Sequence, residues 1–344
     1  MSRTLHAVLP GDVDDPATPS GGNHYDRRVL AGLAAAGWSV HEHPVPGGWP
    51  LPAPADRATL ARVLGAVPDR AVVLLDGLVG CVVPEVLAPH ADRLRLAVLV
   101  HLPLDHDAER AALHAAAAVV TTSAWTRRWL LDRYALPAGR VHVAAPGVDP
   151  APPAVGSASG GRLLSVAAVT PLKGHDVLVD ALAAVADRPW RCDCVGSLTR
   201  DPEFVERLRR RITDTGLAGR VRLTGPCTGP ALDVAYAAAD LLVLASRVET
   251  YGMVVTEALA RGVPVLATAT GGLPDTLGRA PNGTPPGLLV SPDDPAALAG
   301  ALRRWLTDPE LRTRLRRAAR ERRDTLHDWT TTTTALATAL EGAA

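Results

Sequence analysis

Two glutamates eight residues apart bound the run Glu249-Thr250-Tyr251-Gly252-Met253-Val254-Val255-Thr256-Glu257. Ionised carboxylates only accept hydrogen bonds, and each can grip a pair of vicinal hydroxyls. The apolar run 241–245 reads as a buried parallel strand. A tight loop containing Gly252 follows, then a helix over 253–260 stopped by Gly262, then another strand over 263–267. The first glutamate therefore falls in the loop at the carboxyl end of a strand, and the second about two turns along the helix. Ligands of open α/β sheets bind in that crevice. The helix N-terminus, with the N–H groups of Tyr251, Gly252 and Met253, favours an anion such as a diphosphate. Hydroxyl-gripping carboxylates on either side of an anion site point to a nucleotide sugar, one glutamate per sugar ring.

The elements that must position these residues repeat a strand–helix alternation. Strands are expected at 5–9, 38–43, 71–75, 96–100, 118–121 and 141–144, and again at 162–168, 191–196, 221–225, 241–245, 263–267 and 287–290. Such alternation makes parallel, doubly wound sheets. The stretch 151–161, rich in Pro, Gly, Ser and Ala, reads as a linker between a domain at 1–150 and a second at 162–325, with 326–344 as a closing helix. A long loop, 10–23, is expected to end in Gly21-Gly22 ahead of a helix over 25–36, where the missing side chains let backbone approach a ligand. It is not GxGxxG, so the dinucleotide fingerprint is absent. Asp76 and His101 fall at strand carboxyl ends, and Ser123 is placed to cap a helix. Lys173, in Pro171-Leu172-Lys173-Gly174-His175-Asp176, is the only lysine in the chain and precedes a helix expected over 177–186. Its ammonium suits a phosphate. Arginine-rich 295–323 reads as a solvated amphipathic helical stretch.

Glu-x7-Glu with aromatic-Gly after the first Glu, Lys173-Gly174, Pro146-Gly147-Val148-Asp149 and Gly271-Gly272-Leu273-Pro274 together resemble the retaining glycosyltransferases of family 4. That resemblance implies the GT-B fold, two Rossmann-like doubly wound parallel-sheet domains facing across a cleft. It implies a catalytic set of Glu249, Lys173 and His101, with His101 near the transferred sugar. Donor contacts would be Glu257, Tyr251, Gly252, Met253, Val254, Gly22 and Gly272. Outside the resemblance, Arg247 is a donor-contact candidate by its place two residues before Glu249, and Asp76, by its strand-end position, a candidate to hold the acceptor. The family pattern also places an arginine in Gly-Arg-Leu shortly before the lysine. Here Ala167-Ala168-Val169 stands there, and Arg247 is the nearest replacement by sequence. The leaving phosphate oxygen would take the acceptor proton on the same face, which retains configuration.

Composition excludes several classes. At 344 residues, 47% apolar and zero formal net charge, the chain reads as globular, neither disordered nor nucleic-acid-binding. Cys81, Cys192, Cys194 and Cys227 lack zinc-like spacing and read as core residues. No Asp-x-Asp stands where a metal would bridge phosphates, so metal independence is expected and the nucleotide sugar is the only co-substrate. With no signal peptide and no apolar run of transmembrane length, a cytoplasmic protein is expected. Residues 1–155 carry 13 Arg against 15 Asp plus Glu, which leans away from anionic membranes and towards a small soluble acceptor. UDP-sugars are the favoured donors, then GDP-sugars. The alternatives are a lipid- or polysaccharide-directed transferase, epimerisation or hydrolysis of the same donor, and a non-catalytic nucleotide-sugar-binding protein.

Overall fold

The computed structural model describes residues 3–17 and 19–342. It divides into two compact units, Met1–Asp15 with Gly21–Gly147 and His327–Ala344, and Pro16–Ser20 with Val148–Leu326.

In the first unit six parallel strands, β1 (Arg3–Pro10), β2 (Trp38–Val45), β3 (Val72–Asp76), β4 (Arg95–Val100), β5 (Ala118–Thr121) and β6 (Val141–Val143), lie in the order β2-β1-β3-β4-β5-β6. β3 and β5 are buried along their whole length, and β4 along all but its first residue. Helices cover both faces of such a sheet, so these central strands are continuous apolar runs, whereas the edge strand β2 carries Ser39, His41, Glu42 and His43. Gly21 and Gly22 do not end a loop. They form the first turn of the helix Gly21–Ala35, whose buried stripe is Tyr25, Asp26, Val29, Leu30 and Leu33. The closing helix Trp329–Gly342 packs on it in the same unit. Gly32 permits that approach, since a Cβ there would lie 2.2 Å from Thr333 Oγ1. Gly147 likewise leaves room for the backbone of Asp328 and Trp329.

The second sheet comprises β7 (Arg162–Val166), β8 (Arg191–Val195), β9 (Val221–Gly225), β10 (Leu241–Leu244), β11 (Val265–Thr268) and β12 (Gly287–Val290), again all parallel, in the order β12-β11-β10-β7-β8-β9. Residues 151–161 are held on this unit. The buried Asp240 carboxylate accepts from Ser157 Oγ (2.6 Å), Arg162 N (2.8 Å) and Arg316 (2.9 Å), and Trp305 Nε1 donates to Gly160 O (2.8 Å). The expected helical stretch 295–323 is two helices, Pro295–Thr307 and Pro309–Arg323. Pro309 pushes the preceding residue out of helical conformation, and Asp308 caps the new helix through Leu311 N at 2.9 Å. Among the described residues no helix is long and apolar enough to cross a membrane.

Candidate functional site

β7 and β10 are neighbours in the second sheet, yet the chain leaves them in opposite directions, towards β8 and β11. The loops after these two strands therefore part around a crevice at their carboxyl ends. Lys173 ends a single turn after β7, and Gly174 follows with φ +65°. A Cβ at Gly174 would fall 2.0 Å from Ala245 O, so only glycine lets this turn settle against the end of β10. The result is a direct contact: Lys173 Nζ donates to Glu249 Oε1 at 2.6 Å, and Ser246 Oγ donates to the same oxygen at 3.1 Å. The lysine side chain remains 29% exposed and the glutamate 12%. The loop after β11 closes on the same place. Gly272 N donates to Glu249 O at 2.9 Å, and Gly271 (φ +56°) leaves no space for a Cβ, which would meet that carbonyl at 1.8 Å. Lys173, Glu249 and the Gly271-Gly272 loop are thus brought together.

Gly252, at φ +83°, turns the chain into the helix Met253–Ala260. Its first turn carries Met253 and Val254, both partly buried, and its N–H groups have no intrahelical acceptor. Tyr251 is partly buried beside them, its phenol pushed up to about 12 by burial. Glu257 sits further along and accepts from Tyr236 Oη at 2.7 Å. Burial, then the Glu257 charge, pushes that phenol well above its ordinary value, so Tyr236 stays a donor. Tyr236 has no motif around it; its only sequence signal is a lone aromatic on an alanine-rich helix.

Arg247 is held by protein partners. Its Nη1 and Nη2 bond Asp176 Oδ1 and Oδ2 at 3.0 and 2.9 Å, its Nε bonds Asp293 Oδ1 at 2.6 Å, and Nη1 also reaches Pro171 O. Burial alone would raise the Asp176 carboxyl, but the Arg247 bonds and charge outweigh it and hold it below its ordinary value. Next to it, His175 is buried with neither ring nitrogen bonded, and burial lowers it to about 4. It is a neutral side chain near neutral pH.

The first sheet has its own switch point, between β1 and β3. Asp76 ends β3 and caps the following turn, its Oδ1 accepting from Leu78 N at 2.6 Å. His101 follows β4, with its Nε2 2.9 Å from Asp26 Oδ1 and 3.7 Å from Asp76 Oδ2. Gly22 lies under the ring, where a Cβ would come within 3.3 Å of His101 Cδ2. Burial lowers the imidazole pKa, but the two aspartates overcome this and raise it to about 9. Asp76, 3% exposed, is pushed well above the carboxylate range by burial and by Asp26. Asp26 went unread in the sequence. Its signal was an acid on the apolar stripe of Gly21–Ala35, in register with Val29, Leu30 and Leu33. The ligand-type atoms of these three residues lie within 4.8 Å of one another, close enough to grip a cation.

A family model described as glycosyl transferases group 1 matches residues 159–322, and one described as glycosyltransferase family 4 matches residues 19–152. Between them they span most of the chain, which belongs to the family 4 glycosyltransferases of GT-B fold. D-inositol 3-phosphate glycosyltransferase of Jonesia denitrificans is 36% identical over 232 residues, covering 62% of this chain and 54% of the relative. The protein of that name from Catenulispora acidiphila, D-inositol 3-phosphate glycosyltransferase 1, is 34% identical over 232 residues, 61% and 54% of the two chains. The chain spans about half the length of the curated relatives it matches. Among solved structures, sucrose-phosphate synthase from Thermosynechococcus elongatus superposes with a TM-score of 0.79 at 24% identity, covering 98% of both chains. Anabaena HepE in complex with UDP-glucose superposes with a TM-score of 0.77 at 19% identity, covering 99% of this chain and 100% of that one. These likenesses are of fold.

Proposed function

We propose that the protein is a retaining glycosyltransferase that moves a hexosyl group from a nucleoside diphosphate sugar, UDP-linked first and GDP-linked next, to a small soluble acceptor. The reading rests above all on Lys173 and Glu249 meeting at the switch point of the second sheet. A lysine paired at 2.6 Å is poised to exchange its carboxylate for a diphosphate, freeing Glu249 to accept from sugar hydroxyls. Lys173 and the first-turn N–H groups of Met253–Ala260 would stabilise the charge that grows on the departing diphosphate. Glu257, oriented by Tyr236, would hold the ribose. The acceptor would be bound by the first unit near His101, and its proton would pass to the leaving phosphate oxygen. No resident metal is required by this scheme. The names of the curated relatives support a small acceptor, and the UDP-glucose bound by HepE supports the donor class. A non-catalytic nucleotide-sugar-binding protein is the second reading, favoured by Ala167-Ala168-Val169 where the family has its arginine and by the engagement of Arg247 with two carboxylates.

Thermal denaturation with UDP-, GDP-, ADP- and TDP-sugars tests both. A ligand that binds only the folded state adds about 2.7 kcal/mol at a hundred times its Kd. One nucleotide series is expected to raise Tm in the wild type and fail to do so in Glu257→Ala. That donor should then be consumed in the presence of acceptor. Binding without any turnover leaves the second reading, and no response to any series rejects both.

A further inference from the structure

The carboxyl ends of β1, β3 and β4 bring two buried carboxylates against a half-buried imidazole. Asp26 is 1% exposed and Asp76 3%. Asp26 Oδ1 is bonded to His101 Nε2, but Asp26 Oδ2 is buried with no donor. A buried carboxylate oxygen left unpaired carries a desolvation cost that folded proteins rarely tolerate. Tyr25 stands edge-on to His101 and donates its hydroxyl to Ala144 O at 2.8 Å, while Cys81 is a buried neutral thiol beside Asp76. Beyond Cys81 the buried Glu109 carboxylate is held by Leu104 N and Tyr134 Oη. Among the described residues no lysine or arginine is bonded to either carboxylate. The Asp76 carboxyl is within side-chain hydrogen-bonding reach of Asp26. Its Oδ1 already accepts from Leu78 N, and it lies 3.7 Å from the imidazole where Asp26 lies at 2.9 Å. A proton on the pair therefore belongs on the carboxyl farther from the cation.

We propose that Asp26 and Asp76 share one proton, carried by Asp76 and donated to the orphaned Asp26 Oδ2, and that Asp26 is thereby the positioning residue that holds His101 as an imidazolium. The cluster then has one carboxylate, one carboxylic acid and one imidazolium, with no net charge, and the bare oxygen has its donor. An imidazolium has two N–H donors and no acceptor. His101 therefore serves its site as a hydrogen-bond donor and not as a general base. That assignment rests on the transferase reading only for what His101 touches; the proton itself does not depend on it.

The test uses the full chain with 13C-labelled histidine, His101 being assigned through His101→Gln, together with infrared difference spectra for the carboxylic acid. Asparagine is the neutral isostere of a protonated aspartate, so the two variants are expected to differ. Asp76→Asn should leave the His101 titration near its wild-type midpoint, because the amide N–H₂ can donate to Asp26 as the acid does. Asp26→Asn should lower that midpoint by about one pH unit or more, through loss of the near carboxylate. The wild type at pH 7 should show a buried carboxylic-acid band that Asp76→Asn lacks, a readout that survives even if Asp26→Asn fails to fold. Where turnover is measurable, the pH profile of kcat/KM should fall on the alkaline side at the His101 midpoint. Absence of the acid band, or a His101 midpoint that falls as far in Asp76→Asn as in Asp26→Asn, overturns the proposal. So does calorimetric binding of Mn²⁺ or Zn²⁺ that is lost in Asp76→Asn, since a cation would then fill the place of the proton. Failure of every donor to bind while the band and the titration appear would sink the transferase reading and leave the shared proton standing.

Discussion

The two sheets each place ionisable side chains at a topological switch point, and they neutralise them differently. In the second unit charge is met by charge: Lys173 faces Glu249, and Arg247 faces Asp176 and Asp293, all with part of each side chain in water. In the first unit two carboxylates shut off from water face a single imidazole that is itself 17% exposed. An ion pair that keeps some solvent can open for an anion at modest cost. A buried excess of carboxylates can be relieved only by protons or a cation. The second arrangement suits a site that exchanges a ligand, the first a site that must present one fixed side chain.

The largest expected effect breaks the second site. Lys173→Ala should lower kcat/KM by about 10²- to 10³-fold, the usual loss when one preorganised donor to a developing charge is removed. Steady-state kinetics with a fixed acceptor measures it, and a change below tenfold would remove Lys173 from the chemistry.

Next comes pH, which should separate the two units. His101, raised to about 9, and Asp76, raised well above its ordinary range, bind protons more tightly folded than unfolded. Their contribution is fully present at low pH and is lost as pH rises, for His101 between 6.5 and about 9. At about 1.4 kcal/mol per unit this reaches roughly 3 kcal/mol for His101. His175 runs the other way. Lowered to about 4, it favours the fold above 6.5 and loses that contribution as pH falls towards 4. Hydrogen exchange at pH 5.5 and pH 9 should show opening of β10 and β7 favoured in acid and of β3 and β4 in alkali. The same unit opening first at both ends would contradict this.

The smallest effect sharpens the role of Arg247. Arg247→Ala should cost about 1 kcal/mol of stability, since Asp176 and Asp293 both keep part of their surface in water, with donor KM almost unchanged. A large rise in donor KM at constant Tm would instead give Arg247 the part of the arginine missing at Ala168.

Much of the fold was legible in the chain because its signals are local. All twelve strands stand within a few residues of their expected places; the central ones, such as β3, β5 and β10, are buried on both faces and leave no alternation to misread. The helix Met253–Ala260 runs between glycines that only tight turns require, and Ser123 caps its helix through Thr126 N. The misreadings were at points where two local signals compete. Gly21-Gly22 has loop composition but opens a helix, and the helical pattern of 295–323 runs through Pro309.

Within the sites, sequence alone determined residue type and the strand end each residue belongs to: Glu249 after β10, Lys173 after β7, Asp76 and His101 after β3 and β4. Motif spacing carries that much because the chain leaves each strand at a set place. Partnership was decided only by the tertiary structure. Lys173 and Glu249 are 76 residues apart, Arg247 and Asp176 71, and His101 and Asp26 75. Which of two cations takes Glu249, and whether a buried carboxylate finds a counter-charge or must keep a proton, depends on distances and exclusion of water set by strand order. Neither quantity is a property of any single stretch of chain.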